Sequence, residues 1–103
     1  MIELQVDVLH DIVYSQPKVM VMFGTDWCGN CDILKPEYDR VSKENKNLPF
    51  IFVNPDIHKI SSQMVDLTNI PMVVGFNNGE IVVSKFGNRS EIVQEVLDFL
   101  IDY

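Results

Sequence analysis

The chain has 103 residues and carries 8 basic and 15 acidic side chains, for a formal net charge of −7. One domain over residues 1–103, with a core that needs no staples, is the expectation for this length, and 47% hydrophobic with 22% charged residues is the balance of an ordinary soluble protein. The basic residues are scattered or interleaved with acids, which argues against direct nucleic-acid binding; no apolar run approaches the ~20 residues of a membrane span; and the start, Met1-Ile2-Glu3-Leu4-Gln5, has neither the basic region nor the cleavage site of a signal peptide.

Ile2 to Val6 alternates and reads as a short strand. Asp7 can cap the next segment, where Val8, Leu9, Ile12 and Val13 recur at helical spacing until Gln16-Pro17 stops them. Val19 to Phe23 is an unbroken apolar run before Gly24, the pattern of a strand buried on both faces. Trp27-Cys28-Gly29-Asn30-Cys31 follows at once. From Cys31 to Lys46 the spacing is helical through Ile33, Leu34, Tyr38 and Val41, with Pro36 inside and expected to kink the helix.

Phe50 to Val53 is a second continuous apolar strand, and a polar helix-like stretch runs roughly from Lys59 to Leu67. Pro71 opens the strand Met72 to Phe76. Asn78-Gly79 signals a tight hairpin, because both residues tolerate positive φ. Glu80 to Phe86 is its partner strand, broken by Gly87-Asn88. Ile92, Val93, Val96, Leu97, Leu100 and Ile101 mark a last amphipathic helix, capped by Asn88 or Ser90. The order is β-α-β-α-β-α-β-β-α: an α/β fold with parallel crossovers and an antiparallel edge from the hairpin. His10 and His58 are expected at the surface, and Met20, Met64 and Met72 as core fill.

Cys28 and Cys31 are the only cysteines. Zinc uses this spacing but needs four ligands, and neither a second cysteine pair nor a nearby histidine supplies them. A purely structural disulfide across so short a loop would constrain the unfolded chain little. What remains is redox chemistry, provided the pair lies where a strand of a βαβ unit turns into its helix. A helix N-terminus favours a thiolate over a thiol, and the thiolate is the attacking species in disulfide exchange.

The whole chain resembles the thioredoxin family. The family's W-C-G-P-C stands here as Trp27-Cys28-Gly29-Asn30-Cys31, and its helix proline as Pro36. The cis-proline segment stands as Ile70-Pro71-Met72-Val73-Val74, the hairpin as Phe76-Asn77-Asn78-Gly79-Glu80, and the glycine before the last helix as Gly87. The resemblance implies a thioredoxin fold, a central mixed five-stranded sheet flanked by four helices. It implies a disulfide reductase with Cys28 as exposed nucleophile and Cys31 as the more buried resolving thiol. Pro71 would face Cys28 and leave a neighbouring backbone group free for an extended substrate. Trp27, Gly29, Asn30, Ile70 and Gly87 would contact protein substrates; Phe86 would join them or serve as an ordinary edge-strand residue.

Three departures from the family pattern stand out. A buried aspartate precedes the first cysteine in most thioredoxins; that position is Met22 here. The lysine beside it becomes Phe52, so Cys31 lacks an obvious internal base. Asn30 replaces the motif proline, and Asp32 replaces a usual lysine, placing a negative charge that opposes thiolate formation.

No Gly-rich phosphate loop is present, so no bound cofactor is expected beyond the redox-active disulfide itself. Electrons would come from an external donor such as a thioredoxin reductase, or from glutathione. The expectations are a cytoplasmic monomer acting on protein disulfides, without membrane contact. Two other readings stay open: a disulfide isomerase or oxidase, which the non-proline motif permits, and a non-catalytic docking subunit of a larger enzyme.

Overall fold

The computed structural model describes residues 1–103. Its elements, in chain order, are β1 (Ile2–Glu3), α1 (Leu9–Ser15), β2 (Lys18–Phe23), α2 (Gly29–Glu44), β3 (Phe50–Val53), α3 (Lys59–Ser62), β4 (Met72–Asn77), β5 (Glu80–Phe86) and α4 (Glu91–Asp102). The five strands form one sheet in the order β1-β3-β2-β4-β5. β1 and β2 both run parallel to β3, whereas β4 is antiparallel to β2 and to β5. The expected α/β order holds. The antiparallel part is larger than a hairpin edge, however, because the β3-α3-β4 connection returns the chain on the far side of β2 in the opposite sense.

The unbroken apolar runs are explained by what lies on each side of the sheet. Successive strand residues point to opposite faces. Met20 and Met22 of β2, Phe50 and Phe52 of β3 and Val73 of β4 join Leu34, Tyr38 and Val41 of α2 and the apolar stripe of α4 in one core. The alternate residues Val19, Val21, Phe23, Ile51, Val53, Met72, Val74 and Phe76 join Leu9 and Val13 of α1 in a second. Inside the first core the Tyr38 hydroxyl donates to the Ile51 carbonyl at 2.9 Å. Burial pushes that phenol well above the ordinary tyrosine range.

Several local expectations change. β1 is only two residues long; its ladder continues as far as Leu4, whose N–H donates to the Phe52 carbonyl at 2.8 Å, before the chain turns away. Asp7 does not cap α1. Its carboxylate accepts from the backbone N–H groups of Ile60 at 3.0 Å and Ser61 at 2.7 Å, and so caps α3. Ser61 returns the favour: its hydroxyl accepts from the N–H of Leu9 at 3.1 Å, at the start of α1. The two short helices thus satisfy each other's orphan donors. These bonds, led by that to Ser61, hold the Asp7 carboxyl below its ordinary range.

α3 stops after one turn, where the Ser62 hydroxyl bonds back to the His58 carbonyl instead of supporting a longer helix. His58 is not solvent-facing. It is only 6% exposed, with Nε2 2.7 Å from the Leu4 carbonyl oxygen, because the β1 and α3 segments close over it. Neither candidate caps α4. Ser90 stands at the N-cap position without a side-chain cap bond, and the Asn88 side chain is engaged elsewhere. The hairpin forms as read, with Asn78 at φ 52° and Gly79 at φ 83°. No helix is long and apolar enough to cross a membrane.

Candidate active site

β2 ends at Phe23, and α2 begins at Gly29 with Cys28 as its N-cap. The cysteine pair therefore sits where a central strand turns into a helix, at the carboxyl end of β2. Cys28 and Cys31 are joined as a disulfide, with Cα atoms 5.2 Å apart. The backbone N–H of Cys31 points at Cys28 Sγ, 3.2 Å away. The N-cap sulfur thus receives an orphan donor that an oxygen usually takes. In the reduced state the same N–H, together with the positive end of α2, favours negative charge on that sulfur. Asp32 lies in the first turn of α2 and works against it.

Cys28 retains 8% of its surface and Cys31 2%. The order is the expected one, but Cys28 is less open in the disulfide than an exposed nucleophile suggests. Gly24 explains the depth of Cys31. A Cβ at Gly24 would lie 3.0 Å from Cys31 Sγ and 3.3 Å from the Phe52 ring, so the missing side chain is the space the sulfur and ring use.

Strand register brings the remaining segments to this end of the sheet. Met72 pairs with Phe23 on one side and Phe86 on the other. Pro71, buried and preceded by a cis peptide bond from Ile70, immediately precedes Met72. The Gly87 N–H donates to the Pro71 carbonyl at 3.1 Å, and Gly87 adopts φ 123°, which side-chain-bearing residues rarely reach. Trp27 is 71% exposed and Phe86 58%. Gly29 and Asn30 are exposed and Ile70 is half-buried.

Two partners were not legible in the sequence. Trp27 Nε1–H donates to Asp56 Oδ2 at 2.7 Å. Asp56 lies in a turn after β3, where its N–H donates to Asn54 Oδ1 at 2.9 Å, and nothing local links it to Trp27. Asn88 Nδ2 donates to Asn30 Oδ1 at 3.2 Å. By its sequence context Asn88 is a strand breaker and a candidate helix cap, and neither points to Asn30.

Met22 and Phe52 are register partners on β2 and β3, and both are buried. They pack as ordinary apolar core beneath the motif. A cation does reach this corner from another element: Lys35, one turn beyond Cys31 on α2, places Nζ 4.0 Å from the centroid of the Phe52 ring and pairs with Glu3. No group of three or more His, Cys, Asp or Glu side chains is arranged to hold a metal ion.

A family model described as Thioredoxin matches residues 1–98. The thioredoxin of Mycoplasma genitalium is 32% identical over 71 residues, which are 69% of this chain and 70% of that protein. The thioredoxin of Mycoplasmoides gallisepticum is 30% identical over 79 residues, 77% of this chain and 79% of that one. Among solved structures, Plasmodium falciparum thioredoxin superposes with a TM-score of 0.89 over 96% of this chain and 98% of its own, at 22% identity.

Proposed function

The chain belongs to the thioredoxin family and is a thiol–disulfide oxidoreductase; from that premise we propose that it reduces protein disulfides, with Cys28 attacking and Cys31 resolving. The Cys28 thiolate attacks one sulfur of a substrate disulfide, forms a mixed disulfide and expels the first substrate thiolate. Cys31, on giving up its proton, attacks Cys28 Sγ. The Cys28–Cys31 bond closes and the second substrate thiolate leaves. Two electrons pass from the dithiol to the substrate, and the two cysteine protons end on the substrate thiols. An external dithiol donor, such as a thioredoxin reductase, then reopens the disulfide. Trp27, Ile70, Gly87 and the exposed Phe86 form the docking face, and Pro71, whose own carbonyl is taken by the Gly87 N–H, leaves a neighbouring backbone group free for an extended substrate. A cytoplasmic monomer folded as one domain, with no cofactor beyond the cysteine pair, fits this role.

The observation that carries the reading is the Cys31 N–H aimed at Cys28 Sγ at the N-terminus of α2. It supplies at Cys28, rather than Cys31, the donor a thiolate needs. Burial supports the same assignment, because the more enclosed Cys31 reaches a mixed disulfide only after Cys28 has formed it. Insulin reduction tests the assignment. Cys28→Ser should abolish it, and Cys31→Ser should trap a mixed disulfide. Residual turnover by Cys28→Ser would remove Cys28 as the nucleophile. The double serine variant separates the docking-subunit reading, since docking survives it and redox turnover does not.

A further inference from the structure

The two residues enclosed by the disulfide ring are held very differently from the cysteines that close it. Beyond its chain neighbours and the backbone of its own helix, Gly29 has no atom within 4 Å of where a Cβ would sit. The side chain of Asn30 makes one hydrogen bond, the 3.2 Å contact from Asn88. Asn88 is itself placed by backbone. It follows Gly87, whose φ of 123° turns the chain at the end of β5 and whose N–H is tied to the Pro71 carbonyl. An exposed amide on the β5–α4 loop therefore reaches across to the middle of the redox ring.

We propose that Asn88 is a positioning residue for the redox step: its bond to Asn30 holds the first turn of α2 in the ring-closing geometry when the disulfide is open. With the disulfide closed, the covalent ring already fixes Gly29 and Asn30, so the bond forms there at no further cost in backbone freedom and is worth most in that state. With the disulfide open, these two exposed residues regain backbone freedom that must be lost again when Cys31 attacks Cys28. A hydrogen bond to Asn30 removes part of that freedom in advance. It speeds resolution and tilts the equilibrium toward the disulfide. A proline at this position would restrict the same backbone by its own ring. Asn30 obtains part of that restriction from a partner 58 residues away. Asn88 touches no reacting atom; it acts through Asn30.

The inference rests on Cys28 attacking and Cys31 resolving, and its test separates the two ideas. The reagent 5,5′-dithiobis(2-nitrobenzoate) releases one coloured thiolate when the first cysteine attacks and a second when the other resolves. Four proteins are compared: wild type, Asn88→Ala, Asn30→Pro and the double variant. An exposed amide bond lies near the low end of the net range for hydrogen bonds, which corresponds to about threefold. Asn88→Ala should leave the first phase unchanged and slow the second about threefold. It should also shift the thiol–disulfide equilibrium against glutathione about threefold toward the dithiol, about 14 mV for a two-electron couple. In the Asn30→Pro background, which has no acceptor for Asn88, the alanine should change neither reading. No change in the wild-type background, or an equal change in both backgrounds, overturns the proposal. A Cys28→Ser protein that keeps the fast first phase would overturn the order of attack instead. The equilibrium reading does not depend on that order.

Discussion

Replacing Met22 with aspartate tests how the molecule manages without an internal base. Met22 is fully buried between Phe52 on β3 and Val73 on β4. It lies on the sheet face where a Cβ at Gly24 would meet Cys31, two residues along the strand path. Loss of a buried methionine costs about 2–5 kcal/mol. An unpaired polar group in its place adds about 1–3 kcal/mol. The sum approaches the whole stability of a typical domain, roughly 5–15 kcal/mol. Met22→Asn carries the same two penalties and no titration, so it isolates the effect of the carboxyl.

In Met22→Asp the apolar site should raise the carboxyl pKa by about 3 units above the ~3.9 of an unfolded chain. The folded protein then keeps a proton that the unfolded chain gives up. Stability is therefore highest below about pH 4 and falls as pH rises toward the folded-state pKa near 7, by about 4 kcal/mol relative to Met22→Asn. A carboxylate with so high a pKa can take the proton from Cys31. Urea midpoints and reductase rates across pH 4–8 for the three proteins make the assay. The expected result is a less stable and, where folded, faster enzyme. A Met22→Asp protein that is no faster at any pH would show that proton transfer from Cys31 is not limiting. Parallel stability profiles for the two variants would refute the apolar character assigned to the site.

Gly24→Ala should slow the resolving step and cost about 1–3 kcal/mol, because its methyl would press on a sulfur fixed in a disulfide and on the Phe52 ring; the second thiolate-release phase and a urea titration measure both. Asp7→Asn should loosen the pairing of α1 with α3. The Asp7 carboxyl is held below its ordinary range, so its contribution is present above that range and is lost as pH falls through the folded-state value. Wild type and Asp7→Asn should therefore differ in urea midpoint at neutral pH and converge in acid.

What the sequence made legible was what local pattern encodes. The apolar runs at Val19 to Phe23 and Phe50 to Val53 told of burial on both sheet faces, and Asn78-Gly79 of a tight hairpin, because each depends on neighbours in sequence. The family motifs single out Cys28, Cys31, Pro71 and Gly87, and strand register gathers them at one end of the sheet. The failures share one cause. Asp7 looked like a cap for its own helix, yet its donors lie in α3. His58 sits in a polar stretch, yet a segment 54 residues away closes over it. The Asn30 side chain meets Asn88 from 58 residues away. Polar groups satisfied across the fold leave no periodic trace along the chain.

The central claim is that Cys28 and Cys31 form a working redox couple rather than a structural bridge. Equilibration of the protein with glutathione buffers, with the thiol state read by alkylation and mass, tests it most directly. The account predicts a reversible two-electron couple between about −270 mV, the value of thioredoxin, and about −180 mV, that of disulfide isomerase. Asn30 draws it to the oxidising side of thioredoxin, and Asp32 draws it back. A pair that stays oxidised across the whole glutathione range, below about −300 mV as structural disulfides do, would contradict the claim.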